Sequence, residues 1–361
     1  MKSIPWLSRM RLHLTPGVGY KTYCQLLKFY AEEEIFQVSA EDLQKIPGIG
    51  PIKALRLKDL QYLEQAKQEL DRIEQHHIQL LPWEELPFLL AQICDPPLLL
   101  YVKGSLPSDF SRVTIVGTRR CSPYGRNETF RLSRQLAEAG IWVLSGLAEG
   151  IDTAAHQGVL ASGTGRTLAV LGSGFQQIYP PRNKKLAEQI VEQGGVLFSE
   201  FALTQPPQKG HFPRRNRILA GMVNLVVLME APERSGALIT ADLALEYGRE
   251  VFVVPGPISS PSCKGSNRFL KEGAQICLGI EDILDYFGMS SQTKVRPVLK
   301  MESLDPESQK VYQALLSGPQ GIESLEISCQ LPILGLLRIL GNLEIQGILQ
   351  HRGGRYQLTE T

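Results

Sequence analysis

Residues 111–125 read SRVTIVGTRRCSPYG, and this stretch decides the fold because an apolar run at 113–116 ends in a glycine turn that opens a helical pattern. The same succession returns along the chain, with apolar runs at 142–144, 168–171, 196–198, 225–228, 251–254 and 275–278. Continuous apolar strands that alternate with helices are typical of a parallel sheet covered on both faces. The sequence therefore predicts an α/β fold, a Rossmann-like doubly wound and mostly parallel sheet within a domain over residues 81–290.

The residues before this sheet, 1–80, predict a helical domain of the SAM or helix-hairpin-helix type. A Pro-Gly-x-Gly turn occurs in it twice, at Pro16 and at Pro47, and an amphipathic helix is predicted over residues 52–78. Such a turn presents backbone N–H groups suited to a phosphate, and it resembles the helix-hairpin-helix motif of DNA-binding proteins. A tight turn between packed helices explains the same glycines, so both interpretations stay open.

The residues after the sheet predict a linker and a winged-helix domain over 291–361. Helices are predicted at 308–316, 322–330 and 332–345, followed by a hairpin around Gly353 and Gly354. The third helix carries Arg338 alone as a cation and is otherwise nearly filled with leucine and isoleucine. This composition favours protein contact or packing over reading of a DNA groove.

Composition and charge exclude several classes of protein. The 361 residues hold 38 Lys and Arg against 37 Asp and Glu, a net charge of +1, with 43% hydrophobic residues. A protein that coats nucleic acid through overall charge and a disordered tail protein are both excluded. Without a signal peptide or a long apolar run, we expect a cytoplasmic protein with no membrane contact. Scattered cysteines and histidines without ligand spacing predict no metal, no cofactor and no disulfide framework.

The strand-to-helix turns are where a ligand should lie, because open parallel sheets bind at the carboxyl ends of their strands. These turns contain neither a GxGxxG nor a P-loop phrase. The first turn instead offers Arg119 and Arg120, and the second offers a hydroxyl and a closely approachable N–H at Ser145 and Gly146. A later turn, at Ser235 and Gly236, opens a helix with small and hydroxyl residues and forms another cradle of N–H groups.

One pair of residues has the spacing of a catalytic base and its orienting carboxylate. Asp152 and His156 stand four residues apart on a predicted helix. No serine or cysteine lies near them in sequence, and a helix-capping Asp with a histidine held against it explains the pair. No catalytic residue is therefore assigned.

The densest cationic segment is residues 209–217, KGHFPRRNR. It holds Lys209, Arg214, Arg215 and Arg217, no acid, and Phe212 among the cations. Guanidinium groups bind phosphates bidentately, and an aromatic side chain among cations can stack on a base. Helix capping or pairing across a subunit interface are the structural alternatives. Four cations at a helix N-terminus oppose its dipole, which favours an anion at this place.

Several ordered phrases together resemble one family. They are the stretch 111–125, SGLAEGIDTAAH at 145–156, LGSG at 171–174 with Tyr179-Pro180, FPRRNR at 212–217, SGALIT at 235–240 and VPG at 254–256. This set, spread over about 180 residues, is similar to the DprA/Smf family of bacterial DNA-processing proteins of natural transformation. The flanking helical and winged-helix regions are consistent with that family.

The resemblance implies a protein without known catalysis that binds and protects single-stranded DNA. It further implies RecA as a partner loaded onto the strand, displacement of single-strand-binding protein, and a homodimer. Carried over by motif, the DNA site would include Gly117, Thr118 and Asn216 beside Arg119, Ser145, Gly146, Lys209, Phe212, Arg215 and Arg217. The family's first turn often has Ser where this chain has Thr118.

The alternative is a nucleotide-processing enzyme on a similar sheet. The central region also resembles the wider Rossmann-like superfamily that includes phosphoribohydrolases, whose Pro-Gly-Gly-x-Gly-Thr-x-x-Glu turn supplies a catalytic glutamate. The corresponding turn here, 234–240, lacks that phrase and that glutamate. The absence favours the DNA-binding interpretation.

Overall fold

The computed structural model describes residues 6–107, 110–289, 305–316, 320–345, 348–352 and 355–358. The chain divides into two compact units, Met1–Ile283 and Leu284–Thr361. The first unit holds both the N-terminal helices and the sheet. The division of the sequence into three domains stays a prediction, and the first two of those parts pack as one unit.

The N-terminal helical segment, residues 6–78, consists of short helices around its own apolar core. Its helices are α1 (Trp6–Leu14), α2 (Tyr20–Leu27), α3 (Ala40–Gln44), α4 (Pro51–Lys58) and α5 (Gln61–Gln75). The prediction of one continuous helix over 52–78 is therefore wrong. The helical conformation ends at Asp59, whose backbone is extended and whose Oδ1 accepts a hydrogen bond from the Gln61 N–H at 2.9 Å.

The two Pro-Gly-x-Gly turns lie side by side. Gly17 and Gly48 both have positive φ, +90° and +85°, a conformation that favours glycine. Arg56 Nη1 donates to the Pro16 carbonyl at 3.3 Å, and Lys53 Nζ donates to the Gly48 carbonyl at 3.0 Å. The Arg56 hydrogen bond links α4, which follows the second turn, to the first turn, which supports the packing role without testing DNA contact.

The sheet is mostly parallel, as predicted, and has nine strands. The strands are β1 (Gln79–Pro82), β2 (Leu99–Lys103), β3 (Arg112–Val116), β4 (Trp142–Ser145), β5 (Thr167–Leu171), β6 (Val196–Ser199), β7 (Leu225–Leu228), β8 (Glu250–Val253) and β9 (Gln275–Ile276). Their order is β1-β2-β6-β5-β4-β3-β7-β8-β9. The first two strands pair antiparallel, and β2 also pairs antiparallel with β6. The proline-rich stretch 82–110, which was predicted to connect the helical region to the sheet, thus contributes β2 and extends the sheet.

Helices join and cover the strands. They are α6 (Phe88–Ala91), α7 (Pro123–Glu138), α8 (Ile151–Ser162), α9 (Lys184–Glu192), α10 (His211–Gly221), α11 (Gly236–Glu246), α12 (Lys264–Lys271) and α13 (Ile280–Tyr286). The central strands are fully buried, as in β5 and β7, whereas the edge strand β9 is exposed. The central strands therefore need apolar residues on both faces, which explains why they appear in the sequence as uninterrupted apolar runs.

The strand order places a switch point between β3 and β7. The chain winds from β3 through β4 and β5 to β6 in one direction, then returns to β7 and winds through β8 to β9 in the other. Turns that leave β3 and β7 diverge there and open a crevice at the carboxyl edge. This crevice holds the candidate site.

The second unit has the predicted winged-helix order. Its elements are α14 (Pro306–Leu316), α15 (Ile322–Cys329), α16 (Ile333–Ile345), β10 (Leu349–Arg352) and β11 (Arg355–Leu358), with β10 and β11 paired antiparallel. The predicted Gly353-Gly354 turn lies outside the described residues. On α16, Ile333, Leu334 and Leu337 are exposed while Leu336 and Leu340 are buried.

Among the described residues, no single helix has the length and apolar character needed to cross a membrane, although the bent pair Ile322–Cys329 and Ile333–Glu344 passes that test together.

Candidate functional site

A cavity of about 430 Å³ opens at the switch point. Its lining includes eight of the residues that sequence analysis selected: Gly117, Arg119, Lys209, Phe212, Arg215, Asn216, Ser235 and Gly236. Asp152, Tyr179, Ile239 and Thr240 line it as well and were not selected as binding residues. Segments far apart in sequence thus meet in one crevice.

Glu230, two residues after the end of β7, holds the first turn in place through hydrogen bonds. The Glu230 carbonyl accepts from Thr118 N–H at 2.7 Å, and its buried carboxylate accepts from Ser122 N–H at 2.7 Å. Ser122 in turn caps α7 by accepting from the Gly125 N–H at 3.0 Å. Arg119 and Arg120 are both exposed, and of the two Arg119 lines the cavity whereas Arg120 does not.

In the second turn, the two groups that were predicted to donate hydrogen bonds to a ligand donate them to the protein instead. Ser145 Oγ donates to the Ile115 carbonyl at 2.7 Å, and Gly146 N–H donates to Asp152 Oδ2 at 3.1 Å. A Cβ at Gly146 would overlap the guanidinium of Arg215, so any larger residue there would have to displace this buried side chain. Gly146 also lines a smaller cavity of about 70 Å³ beside the main one. DNA contact by Ser145 and Gly146 stays a prediction.

The arginines of the basic segment occupy different environments. The segment's helix, α10, begins at His211. Arg214 donates through Nε and Nη2 to Glu200 at 2.9 Å each, and Arg217 Nη2 donates to the same carboxylate at 2.5 and 2.6 Å. Burial would raise the pKa of Glu200, but Arg217 and Arg214 outweigh it and hold that pKa below its usual range. The anion expected at this helix N-terminus is thus supplied by the chain itself.

Arg215 lies under the cavity and is 4% exposed. It donates through Nη1 to the Val170 carbonyl and through Nε to Asn216 Oδ1, while Asn216 Nδ2 donates to the Gly236 carbonyl at 3.2 Å. Burial lowers the pKa of Arg215 to about 10, against the opposing effect of Asp152. These contacts tie α10 to β5 and to the first residue of α11.

Cations available to a ligand are therefore fewer than the sequence contains. Lys209, Arg119 and Arg120 are exposed, and Arg214 is half-exposed but paired with Glu200. Arg217 is 7% exposed and shares Glu200 with Arg214. Its predicted DNA contact is not tested, and its contacts give it a structural role.

Two aromatic rings form one wall of the cavity. The Arg119 guanidinium carbon lies 5.0 Å from the ring centroid of Phe212, and the Tyr179 ring lies 5.7 Å from the same ring. Phe212 is therefore partly covered, whereas Tyr179 is 42% exposed. The Tyr-Pro phrase at 179–180 was recognised as a motif, but its stacking surface was missed because Tyr179 meets Phe212, 33 residues later in the chain, only through the fold.

The Asp152 and His156 pair does not form a base and its orienter. His156 Nδ1 is 2.8 Å from Thr167 Oγ1, and Asp152 accepts from the N–H groups of Gly146 and Ala148. Burial lowers the pKa of His156 to about 3 and raises that of Asp152 despite Arg215 nearby. The expectation of a helix-capping Asp with the histidine held against it is wrong in both parts, since Gly150 is the N-cap of α8 and Thr167 is the partner of His156. Among the described residues, no cluster of His, Cys, Asp and Glu is suited to a metal ion.

Comparison with known proteins gives consistent matches. The sequence profile of the family described as DNA recombination-mediator protein A matches residues 79–288. The chain is 37% identical over 268 residues to the DNA processing protein DprA of Bacillus subtilis. The aligned region covers 72% of this chain and 89% of that protein.

Two solved structures are similar. DprA from Streptococcus pneumoniae superposes with a TM-score of 0.66 at 32% identity, covering 79% of this chain and 98% of that one. A Helicobacter pylori DNA processing protein A structure, which describes that protein's single-stranded DNA binding mode, gives a TM-score of 0.54 at 31% identity and covers 59% and 96%.

Proposed function

The chain belongs to the DNA recombination-mediator protein A family, and from this premise we propose that it binds single-stranded DNA in the cavity at the switch point. The observation that carries the proposal is the crevice itself, where exposed Lys209 and Arg119 flank exposed Tyr179. Cations that contact the backbone beside an aromatic ring are what strand binding with little sequence preference needs.

The cavity favours a single strand over a duplex. Its cations lie in one crevice at the edge of a sheet, beside an aromatic wall onto which an unpaired base can stack. Bases in a duplex are already stacked on one another and cannot reach that wall without unpairing. We expect a labelled single-stranded oligonucleotide to be displaced by unlabelled single strand and much less by the same length of duplex. Equal competition by duplex would overturn the proposal.

We extend the proposal to loading of RecA onto the bound strand, with displacement of single-strand-binding protein. The family's description as a recombination mediator supports it. The test is RecA-dependent strand exchange on DNA precoated with single-strand-binding protein. The full chain should shorten the lag before exchange, and a lag unchanged by the protein would refute RecA loading while leaving strand binding intact.

A homodimer is also proposed, and one edge of the sheet suits it. The edge strand β9 exposes Ile276, and Leu278 just after it is 71% exposed. Apolar groups on an open strand edge commonly mark an interface. Light scattering should give twice the chain mass, and the double substitution Ile276→Asp with Leu278→Asp should reduce it to one.

We propose no enzymatic step. The catalytic glutamate of the phosphoribohydrolases has no counterpart in the corresponding turn, 234–240. This turn lines the cavity with Ser235, Ile239 and Thr240 instead. Incubation with nucleoside monophosphates should release no base. Release above that of a Lys209→Ala control would favour the enzymatic alternative.

A further inference from the structure

We propose that the N-terminal helical segment positions the basic segment for DNA, and that the buried carboxylate of Glu69 is the positioning residue. The inference rests on the proposed function, because it concerns the same cavity. It assigns the first 78 residues a part in strand binding that requires no DNA contact of their own.

Glu69 is an unusual residue to find in the middle of α5. Its side chain is 2% exposed although it is a carboxylate on an amphipathic helix. The carboxylate accepts a hydrogen bond from the Leu203 backbone N–H at 2.6 Å and another from Arg72 Nη1 at 3.3 Å. Burying a carboxylate is costly unless its hydrogen bonds are satisfied, so Glu69 depends on the hydrogen bonds from Leu203 and Arg72.

Leu203 anchors the loop that leads to the cavity. The loop runs from the end of β6 to α10 and carries Lys209 six residues after Leu203. The Leu203 side chain is buried with Met10, Ala66 and Ile73 of the N-terminal helical segment. One residue of the loop is thus held by that segment through both its backbone and its side chain.

The other side of the loop is held by the turn after β5. The Gln176 N–H donates to the Leu203 carbonyl at 2.9 Å, and the Gly174 N–H donates to the Gln205 carbonyl at 2.9 Å. Residues 203–205 are therefore clamped between α5 and this turn. Loss of the Glu69 contact would leave a buried N–H without its partner, which favours displacement of the loop.

A second contact of the N-terminal helical segment lies three residues upstream. His13 of α1 lies beside Glu200, the residue that holds Arg214 and Arg217. Both ends of the segment 200–203 are thus in contact with N-terminal helices. The position of Lys209 and of α10 depends on those contacts.

The test compares two substitutions of similar size. Glu69→Leu removes the acceptor, whereas Glu69→Gln keeps a carbonyl oxygen that Leu203 N–H can reach. We expect Glu69→Leu to weaken binding of a labelled oligodeoxythymidylate by about tenfold, the weight of one hydrogen bond to a charged group. Glu69→Gln should recover most of the affinity. The matched control is Glu64→Leu, an exposed carboxylate on the same helix that pairs with Lys67.

A double-mutant cycle separates positioning from general destabilisation. If Glu69 acts through the loop, Glu69→Leu should cost little further affinity in a Lys209→Ala background, because the cation it positions is already absent. Full additivity of the two losses would overturn the inference. Binding of Glu69→Leu equal to that of wild type would overturn it as well.

Hydrogen exchange on the wild-type chain provides a test that needs no variant. The Leu203 amide should exchange as slowly as the core amides of α5, since it is buried and bonded to Glu69. Exchange at the rate of an exposed loop would overturn the inference. Wild-type binding is measured first: if the wild type binds no single strand, the proposed function fails, whereas binding that is insensitive to Glu69→Leu refutes only the positioning role.

Discussion

Exposure decides which residues of the basic segment can meet a ligand. Lys209 is exposed at the cavity, whereas Arg215 and Arg217 are buried and bonded to the protein. The sequence shows where the cations are but not which acids neutralise them, because Glu200 lies 14 residues before Arg214 and meets it only through the fold. The sequence likewise does not show that Asp152 lies near enough to Arg215 to oppose the lowering of its pKa by burial.

Tyr179 should contribute stacking rather than charge. Tyr179→Ala is expected to weaken single-strand binding by about 1–3 kcal/mol, the usual effect of one base–aromatic stack, with an unchanged salt dependence. Tyr179→Phe is the control and should bind nearly as wild type. Fluorescence anisotropy at several salt concentrations measures both quantities. Wild-type affinity in Tyr179→Ala would remove this residue from the site.

The Glu200 carboxylate should matter for stability. Glu200→Gln leaves Arg214 without its charge partner and Arg217 with only Asp95, whose Oδ2 lies 3.8 Å from Nε, and breaking a buried pair costs about 3–5 kcal/mol. Denaturant unfolding should show that loss. The matched control is Glu128→Gln, which breaks a partly exposed pair with Arg131 and should cost less than about 1 kcal/mol. Equal stability of the two variants would contradict the assigned role.

At the scale of elements, apolar runs predicted the strands well because a doubly covered sheet demands them. The break between α4 and α5 was missed because the apolar periodicity continues across Asp59, where a local hydrogen bond turns the chain. β1 was missed because its four residues, ending in Pro82, are too short to show a period. Short-range sequence patterns thus predict which helices and strands form, whereas local contacts determine where each of them ends.

The burial of His156 of α8 against Thr167 of β5 predicts that the stability of the fold depends on pH. Burial lowers the folded-state pKa of His156 to about 3, while an unfolded histidine titrates near 6.5. Between these values the unfolded chain binds the extra proton, so His156 stabilises the fold fully above about pH 6.5. This contribution falls as pH drops, by about 1.4 kcal/mol per unit. His156→Gln should reduce the slope of stability against pH for the first unit between pH 6.5 and 4, to which His13, whose pKa burial lowers to about 4, also contributes; an unchanged slope would contradict the buried neutral state of His156.

At the scale of the whole molecule, the two ends of the chain should respond differently to truncation. Residues 6–78 share an apolar cluster with the sheet, in which Leu99, Tyr101 and Leu203 pack against N-terminal helices. Removing residues 1–78 should therefore lower the unfolding temperature. Ending the chain at residue 289 should leave the unfolding of the first unit and its single-strand affinity unchanged. Calorimetry and anisotropy on both truncations check this, and a large loss of affinity in the second would give the winged helix a part in DNA binding.

The net charge of +1 excludes binding through overall charge, so affinity must come from the few cations at the cavity. The most direct measurement is the salt dependence of single-strand binding by wild type, Arg119→Ala, Lys209→Ala and Arg166→Ala. Arg166 is an exposed cation at the amino end of β5, on the opposite edge of the sheet, and serves as the control. We predict weaker binding for Arg119→Ala and Lys209→Ala, with the slope of log K against log salt flattened by about 0.7 for each lost phosphate contact. Arg166→Ala should match wild type. Wild-type affinity and slope in both cavity variants would contradict the assignment of this crevice as the DNA site.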